Sequence, residues 1–380
     1  MIRKIAVVSD VSVGYGSPQI LSIMHSLLEE FPEAEGLLIE PDQVVRPPIK
    51  RKHPRFRIFR IFTRCEIYSR QWKIEYPIKC GETLQKFKPD IVIYAGSIML
   101  CPIHDFLPSP KPLSVVYFLE MPEWYHFGQT YHRILSHLNH YCDLLLHPEI
   151  NRMESCMNFF RDLHLPQYVI YNTSEFSHTK DVLPSNQCNG RILYQGTIDR
   201  NLTFADYYIS PEAQKYPIDL YGLIEGAGEA KNELTAKFAA MTKESRYLGY
   251  VKADVLAELR RWYAYGIISW NPVNENFRLA APNKLFDYIG SGVVPIAAPH
   301  PQCKYLIKKY NCGILLSDWS FEAFLNGLRY AMLIYGTPAY EEMRQNCIRA
   351  ACEELNWDTQ MVPVMKKLRE LAAQRDMCAG

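Results

Sequence analysis

The sequence predicts two α/β domains, each a doubly wound parallel sheet, and three observations carry that expectation. Short apolar runs of strand length alternate with segments whose apolar residues recur at helical spacing, the rhythm of parallel strands joined by crossover helices. A polar stretch from Ser177 to Gly190, with Pro184, Ser185, Asn186 and Asn189, interrupts that rhythm before it restarts. The third observation is the segment Pro282 to Ala298, which compresses a loop, a helix and a buried strand into one short run.

Composition bounds the answer. A chain of 380 residues exceeds a usual single domain, and two domains of roughly 150 to 200 residues are expected. Hydrophobic residues at 48% and charged residues at 22% are ordinary for a globular protein. A net charge of +1 exerts no global pull on nucleic acid or membrane, so such attraction needs a local patch. No apolar run approaches the roughly 18 residues that span a bilayer, and Met1 to Asp10 reads as a strand rather than a signal peptide. No two of the eleven cysteines are separated by only two residues, so they are expected as reduced, mostly buried thiols in a cytoplasmic protein.

In the first half, Ile5 to Val8 is a strand, and Ser17 with Pro18 opens a helix that turns Ile20, Ile23, Met24, Leu27 and Leu28 inward. Gly14 and Gly16 lie in the loop between them. They suit either a close approach of backbone amides to a diphosphate or sugar, or a tight turn alone. Leu37 to Ile39 follows as a strand. From Arg46 to Lys73, basic residues including Arg55, Arg57 and Arg60 interleave with Phe56, Phe59, Phe62 and Trp72. That mixture fits an anionic membrane surface, an anionic substrate or a nucleic-acid groove, and equally a solvated loop and strand. The functional expectation is an acceptor-side or membrane-facing patch. Ile91 to Ala95, Ser114 to Phe118, Asp143 to Leu146 and Tyr168 to Tyr171 are further strands, whose ligands would gather at their carboxyl ends. The histidines at 132, 137, 140 and 147 lack the carboxylate or cysteine that would complete a metal set, and no metal is expected.

In the second half, Arg191 to Asn201 is a strand running into a glycine turn, and Asp219 to Tyr221, Arg246 to Val251 and Gly266 to Trp270 continue the sheet. In the Pro282 segment, Leu285, Phe286 and Ile289 recur at helical spacing, and Gly290 and Gly292 end the helix. Asn283 is expected to cap the helix start, with Lys284 in its first turn and Asp287 one turn on. Amides at a helix start carry partial positive charge. With Lys284 beside them they suit a phosphate, while Asp287 suits the hydroxyls of a ribose or sugar. An ordinary helix with both charges solvated explains the same letters.

The run Pro282-Asn283-Lys284-Leu285-Phe286-Asp287-Tyr288 through Pro295 resembles the Pro-x-Lys-Leu-x-Glu-Tyr element of GT-B glycosyltransferases, in particular family 4 and its relatives. The resemblance implies two Rossmann-like domains across a cleft. Residues 1–178 would bind the acceptor, residues 188–355 would bind the nucleotide-sugar donor, and the helix in 356–380 would cross back to the first domain. It makes Asp287 the donor-holding acid, turns the Gly14–Gly16 loop to the donor phosphates, and places Tyr250 on the nucleobase. After the strand ending at Phe118, Glu120 matches the position of a catalytic His or Asp, with His126 as rival. Relatives carry an Arg and a Lys after the glycine of the 191–201 turn. Here Thr197 takes the Arg position and Arg200 is the loop's cation, so Arg200 and Lys284 would neutralise the leaving diphosphate. The first Glu of the family's Glu-x7-Glu pattern is Leu279 in this chain.

The implied activity is metal-independent transfer, with retention of configuration, from a nucleotide-diphosphate sugar to a glycan or lipid-linked glycan in cell-surface polysaccharide synthesis. No cofactor and no nucleic acid take part, and the protein would sit in the cytoplasm or on the inner membrane face. A sugar-nucleotide epimerase, a sugar phosphorylase and a non-catalytic partner protein of the same fold are the alternatives.

Overall fold

The computed structural model describes residues 2–14, 17–43, 46, 48, 53–96, 110–121, 136, 138–173 and 182–379. The chain divides into two compact units, Met1–Ser174 with Trp357–Gly380, and Glu175–Asn356.

The first unit holds seven strands: β1 (Lys4–Ser9), β2 (Glu35–Pro41), β3 (Phe56–Ile61), β4 (Ile91–Ala95), β5 (Leu113–Tyr117), β6 (Leu144–His147) and β7 (Gln167–Val169). All pair in parallel, in the order β3-β2-β1-β4-β5-β6-β7. Parallel sheets are covered on both faces, which is why β4 and β5 are buried at every residue. Alternate residues of β1 serve different faces. Ile5 and Val7 pack with Ile20, Met24 and Leu27 of α1 (Gln19–Glu30), whereas Ala6 and Val8 pack with Trp72, Tyr76 and Cys80 of α2 (Trp72–Phe87). A further helix, α3 (Ile150–Phe159), follows β6. Strand β3 lies inside the basic, aromatic segment and forms the sheet edge, so part of that composition is strand pairing.

The helix Trp357–Ala379 completes this unit. Its Trp357, Met361, Val364, Met365 and Leu368 enter the same core as α1, and Trp357 Nε1 donates to Ser26 Oγ at 2.8 Å. Trp357→Ala should lower the unfolding free energy by about 3–5 kcal/mol, the usual cost of emptying a large aromatic site. Chemical denaturation followed by circular dichroism measures it.

The second unit has six parallel strands: β8 (Ile192–Gln195), β9 (Ile218–Tyr221), β10 (Arg246–Gly249), β11 (Tyr265–Ile268), β12 (Val294–Ala297) and β13 (Ile314–Leu315). Their order is β10-β9-β8-β11-β12-β13. Helix α4 (Ala253–Arg260) leads into β11, and helix α5 (Asn283–Gly290) leads into β12. In α5 the residues Leu285, Phe286, Tyr288 and Ile289 are buried, so packing rather than propensity holds this short helix. In each sheet the strand order reverses, between β1 and β4 in one and between β8 and β11 in the other. Beyond the carboxyl ends of strands at such a reversal lies the crevice where doubly wound sheets bind ligands.

Candidate functional sites at the carboxyl ends of the two sheets

In the second unit the site forms where β8, β11 and β12 end. Asn283 does not cap α5. The extended residue before the helix is Pro282 (ψ 120), no side chain caps the start, and Asn283 is the first helical residue. A cap must be the extended residue and must carry a side-chain acceptor; the proline ring has none.

Lys284 follows and is buried, with 8% of its surface exposed. Among the described residues its Nζ has no hydrogen-bond acceptor. The amine lies over two rings instead, 4.4 Å from the centroid of Tyr194 and 4.9 Å from that of Trp270. Burial lowers its pKa to about 7, partly opposed by the negative charge of Asp287. Gly196, just past β8, makes room: at its φ of +118 a Cβ would stand 2.8 Å from Lys284 Cε. Trp270 is fixed in turn by His300, wholly buried beyond β12. His300 Nε2 accepts from the Trp270 amide at 3.3 Å, and its Nδ1 lies 3.2 Å from the Arg278 carbonyl. Burial pushes His300 down to about 4, so the ring is neutral at pH 7 and its Nδ1–H donates to that carbonyl.

Asp287, one turn beyond Lys284, is held through one oxygen. Gln195 Nε2 donates to Oδ2 at 2.9 Å, and Arg260 Nη2 stands 3.3 Å from the same atom. Neither Gln195 nor Arg260 stands out in the sequence. Gln195 ends a strand and Arg260 begins an Arg-Arg pair that reads as a solvated helix end, yet both are buried.

The remaining donor-side residues lie around this centre. Arg200 is tied by Glu233, 3.1 Å from Nη2, and by Asp206, 3.3 Å from Nε, and Glu233 holds its pKa above the usual guanidinium range. Thr197 offers its carbonyl to the Tyr194 hydroxyl. Tyr250, after β10, is 56% exposed. Leu279 is buried at the end of a one-turn helix, Glu275–Arg278, where the family pattern has its first Glu.

In the first unit, Glu120 follows β5 and its side chain is 46% exposed. Its Oε2 lies 3.3 Å from Arg152 Nη1 of α3 without the angle of a hydrogen bond; that nitrogen donates to the Leu119 carbonyl at 2.8 Å. Asp10, at the end of β1, escapes a sequence reading that attends to the glycines of its loop. It is 5% exposed and lies across Gly96 beyond β4, where an added Cβ would meet its Oδ2 at 2.3 Å. Burial raises its carboxyl to about 7, and the charge of Glu120 adds to the shift. The signal available was an acid two residues beyond the apolar run Ile5–Val8. Gly14, at φ 89, is exposed in the same loop. Gly16, His126, His132 and His137 lie outside the described residues.

The basic residues in and just before the edge strand separate by environment. Arg55 Nη1 donates to the carbonyls of Leu28 and Pro32, and Arg60 pairs with Glu40 at 2.6 Å and Asp42 at 3.2 Å. Arg57 is exposed, as are Phe59 and Phe62. Among the described residues no group of three or more His, Cys, Asp or Glu could hold a metal ion, and no helix is long and apolar enough to cross a membrane.

No family model matches the chain, and no curated protein matches it by sequence. Solved structures do match, over almost the full length. Sucrose-phosphate synthase from Thermosynechococcus elongatus is 12% identical with a TM-score of 0.71, covering 98% of this chain and 100% of that one. HepE from Anabaena, solved in complex with UDP-glucose, is 13% identical with a TM-score of 0.68, covering 97% and 99%. The lipopolysaccharide outer core galactosyltransferase WaaB is 15% identical with a TM-score of 0.63, covering 96% and 99%. At these identities the likeness establishes the fold, which is GT-B.

Proposed function

We propose that the protein is a glycosyltransferase that moves a sugar from a nucleotide-diphosphate sugar to a glycan or lipid-linked glycan, with the donor in the second unit and the acceptor in the first. One observation carries the reading: at the start of α5 a buried amine, Lys284, finds no acceptor among the described residues, and the Asp287 carboxylate stands one turn away. A diphosphate supplies the missing acceptors, and hydroxyls of the attached ribose or sugar supply donors to the carboxylate. As the bond to the sugar breaks, Lys284 neutralises charge on the departing diphosphate, which lowers the barrier most where water is excluded. Glu120 and Asp10 are the acids of the first unit placed to serve the acceptor hydroxyl. The binding of UDP-glucose by HepE and the outer-core activity of WaaB favour a uridine-diphosphate sugar and a role in cell-surface polysaccharide synthesis. Positive charge comes from the chain itself, so we propose that the reaction needs no metal, and that the transferred sugar keeps its configuration.

The test is a UDP-sugar panel offered with and without glycan acceptors, in the presence of EDTA. Release of UDP that depends on an acceptor, undiminished by EDTA, is the expected result, and nuclear magnetic resonance of the product reads the anomer. Absence of nucleotide binding across a panel of nucleoside diphosphates would overturn the donor site. Buried Leu279 favours one second reading, a partner protein that binds nucleotide without turnover. Binding with no transfer across the acceptor panel would select it.

A further inference from the structure

The environment of Asp287 contains more than a free carboxylate needs. Arg260 is the last residue of α4 and Gln195 the last of β8; their exposures are 6% and 5%. Together with Asp287 they close a ring of contacts. Arg260 Nε donates to Gln195 Oε1 at 3.1 Å, Gln195 Nε2 donates to Asp287 Oδ2 at 2.9 Å, and Arg260 Nη2 lies 3.3 Å from that same oxygen. A fourth contact runs from Arg260 Nη1 to the Asp287 carbonyl at 3.3 Å, so the arginine grips both side chain and backbone of α5.

The chemistry fixes each orientation. Arginine only donates and an ionised carboxylate only accepts, so the Gln195 amide between them turns its oxygen to Arg260 and its nitrogen to Asp287. Every protein donor that reaches the carboxylate from the described residues goes to Oδ2. Its other oxygen, Oδ1, has no such donor, and the side chain is 27% exposed. A carboxylate pinned through one oxygen presents the other at a set angle. That arrangement accepts hydroxyl donors in one geometry, whereas a freely rotating carboxylate pays ordering entropy each time a ligand binds.

We propose that Arg260 and Gln195 are positioning residues that hold Asp287 so that its Oδ1 reads a ribose hydroxyl, making the site selective for ribonucleoside over deoxyribonucleoside diphosphates. This rests on the reading of the second unit as a nucleotide-sugar site. The pair acts through Asp287 and touches no ligand itself. Loss of Arg260 leaves the carboxylate without its guanidinium and the buried Gln195 oxygen without its donor, so Asp287 loses its fixed direction while Lys284 and the helix start are untouched.

The experiment measures affinity by calorimetry for UDP, 2′-deoxy-UDP and 3′-deoxy-UDP, with pyrophosphate as the probe of the phosphate subsite alone. The parent should prefer UDP to at least one deoxy form by about tenfold or more, as expected of a hydrogen bond to a charged acceptor. Asp287→Ala should bring that ratio close to one. Arg260→Met should bring it below about threefold while pyrophosphate affinity changes less than about twofold, and Arg260→Lys should recover part of the ratio. A folded Arg260→Met that keeps the parent's ratio overturns the proposal. If that variant does not fold, Gln195→Met decides by the same criterion: a reduced ratio supports the proposal and an unchanged one overturns it. A parent that binds UDP with no preference for the ribo form overturns the hydroxyl-reading role while leaving the donor site standing, whereas a parent that binds neither UDP nor pyrophosphate removes the donor site as well.

Discussion

At pH 8, binding of a nucleoside diphosphate to this protein should take up close to one proton, and at pH 6 far less. The source is Lys284, whose amine pKa burial lowers to about 7 and whose Nζ has no acceptor among the described residues. A diphosphate beside it restores the charged form, so the proton arrives with the ligand. Calorimetry in buffers of different ionisation enthalpy counts it directly. The same burial gives the unliganded protein a pH-dependent weakness. Below about 7 the amine is charged in folded and unfolded chains alike, and the full cost of burying that charge is paid. Between about 7 and the unfolded value of 10.5 the unfolded chain binds the extra proton, so stability rises with pH through that window. The shift corresponds to a few kcal/mol, on the order of 4, partly offset by the Tyr194 and Trp270 rings. Lys284→Met should therefore make two opposite changes. Unfolding at pH 7 should become harder by roughly 2–4 kcal/mol, while diphosphate affinity should fall about a hundredfold, as when one partner of a buried charge pair is lost. A variant that binds UDP like the parent contradicts the assignment.

The second large effect belongs to Asp10, whose sign is the reverse. Its carboxyl is raised from 3.8 to about 7, first by burial and then by the charge of Glu120. The folded chain holds a proton that the unfolded chain has released, so stability is greatest at the acid end of this window and declines as pH rises from about 4 to about 7. Asp10→Asn removes the ionisable group. It should raise the melting temperature markedly at pH 8 and much less at pH 5, a difference worth about 2–3 kcal/mol. Glu120→Gln should shift the midpoint of the decline to lower pH by removing the repulsion. Thermal unfolding of the three proteins across pH 4 to 9 supplies both readings, and identical curves for parent and Asp10→Asn would show that this carboxyl does not titrate in the window.

These two residues also mark what a one-dimensional reading reaches. The sheets were legible because central parallel strands are apolar along their length, as in β4 and β5, and because helices repeat with a different period. Lys284 and Asp287 were legible because the helix that carries them is short, amphipathic and ended by glycine. Asn283 misled because its letter favours a cap, while the cap position one residue earlier is occupied by proline. Arg60 read as part of a basic surface, yet Glu40, twenty residues away in sequence, stands beside it across adjacent strands. Gln195 and Arg260 were invisible for the same reason. Their meaning lies in what the fold brings against them from distant segments, and spacing along the chain carries no trace of it.

The placement of the helix Trp357–Ala379 sets an order of events during synthesis. Glu175–Asn356 is a continuous stretch, so all of that unit is synthesised before the helix is begun. The first unit begins earlier yet lacks Trp357, Met361 and Leu368 until translation has passed them, and its core beside Met24 and Leu27 stays uncovered for that whole interval. Of the two units the one started first is thus the one finished last, and the nascent chain passes through a stage in which an apolar face waits while residues 175–356 are made.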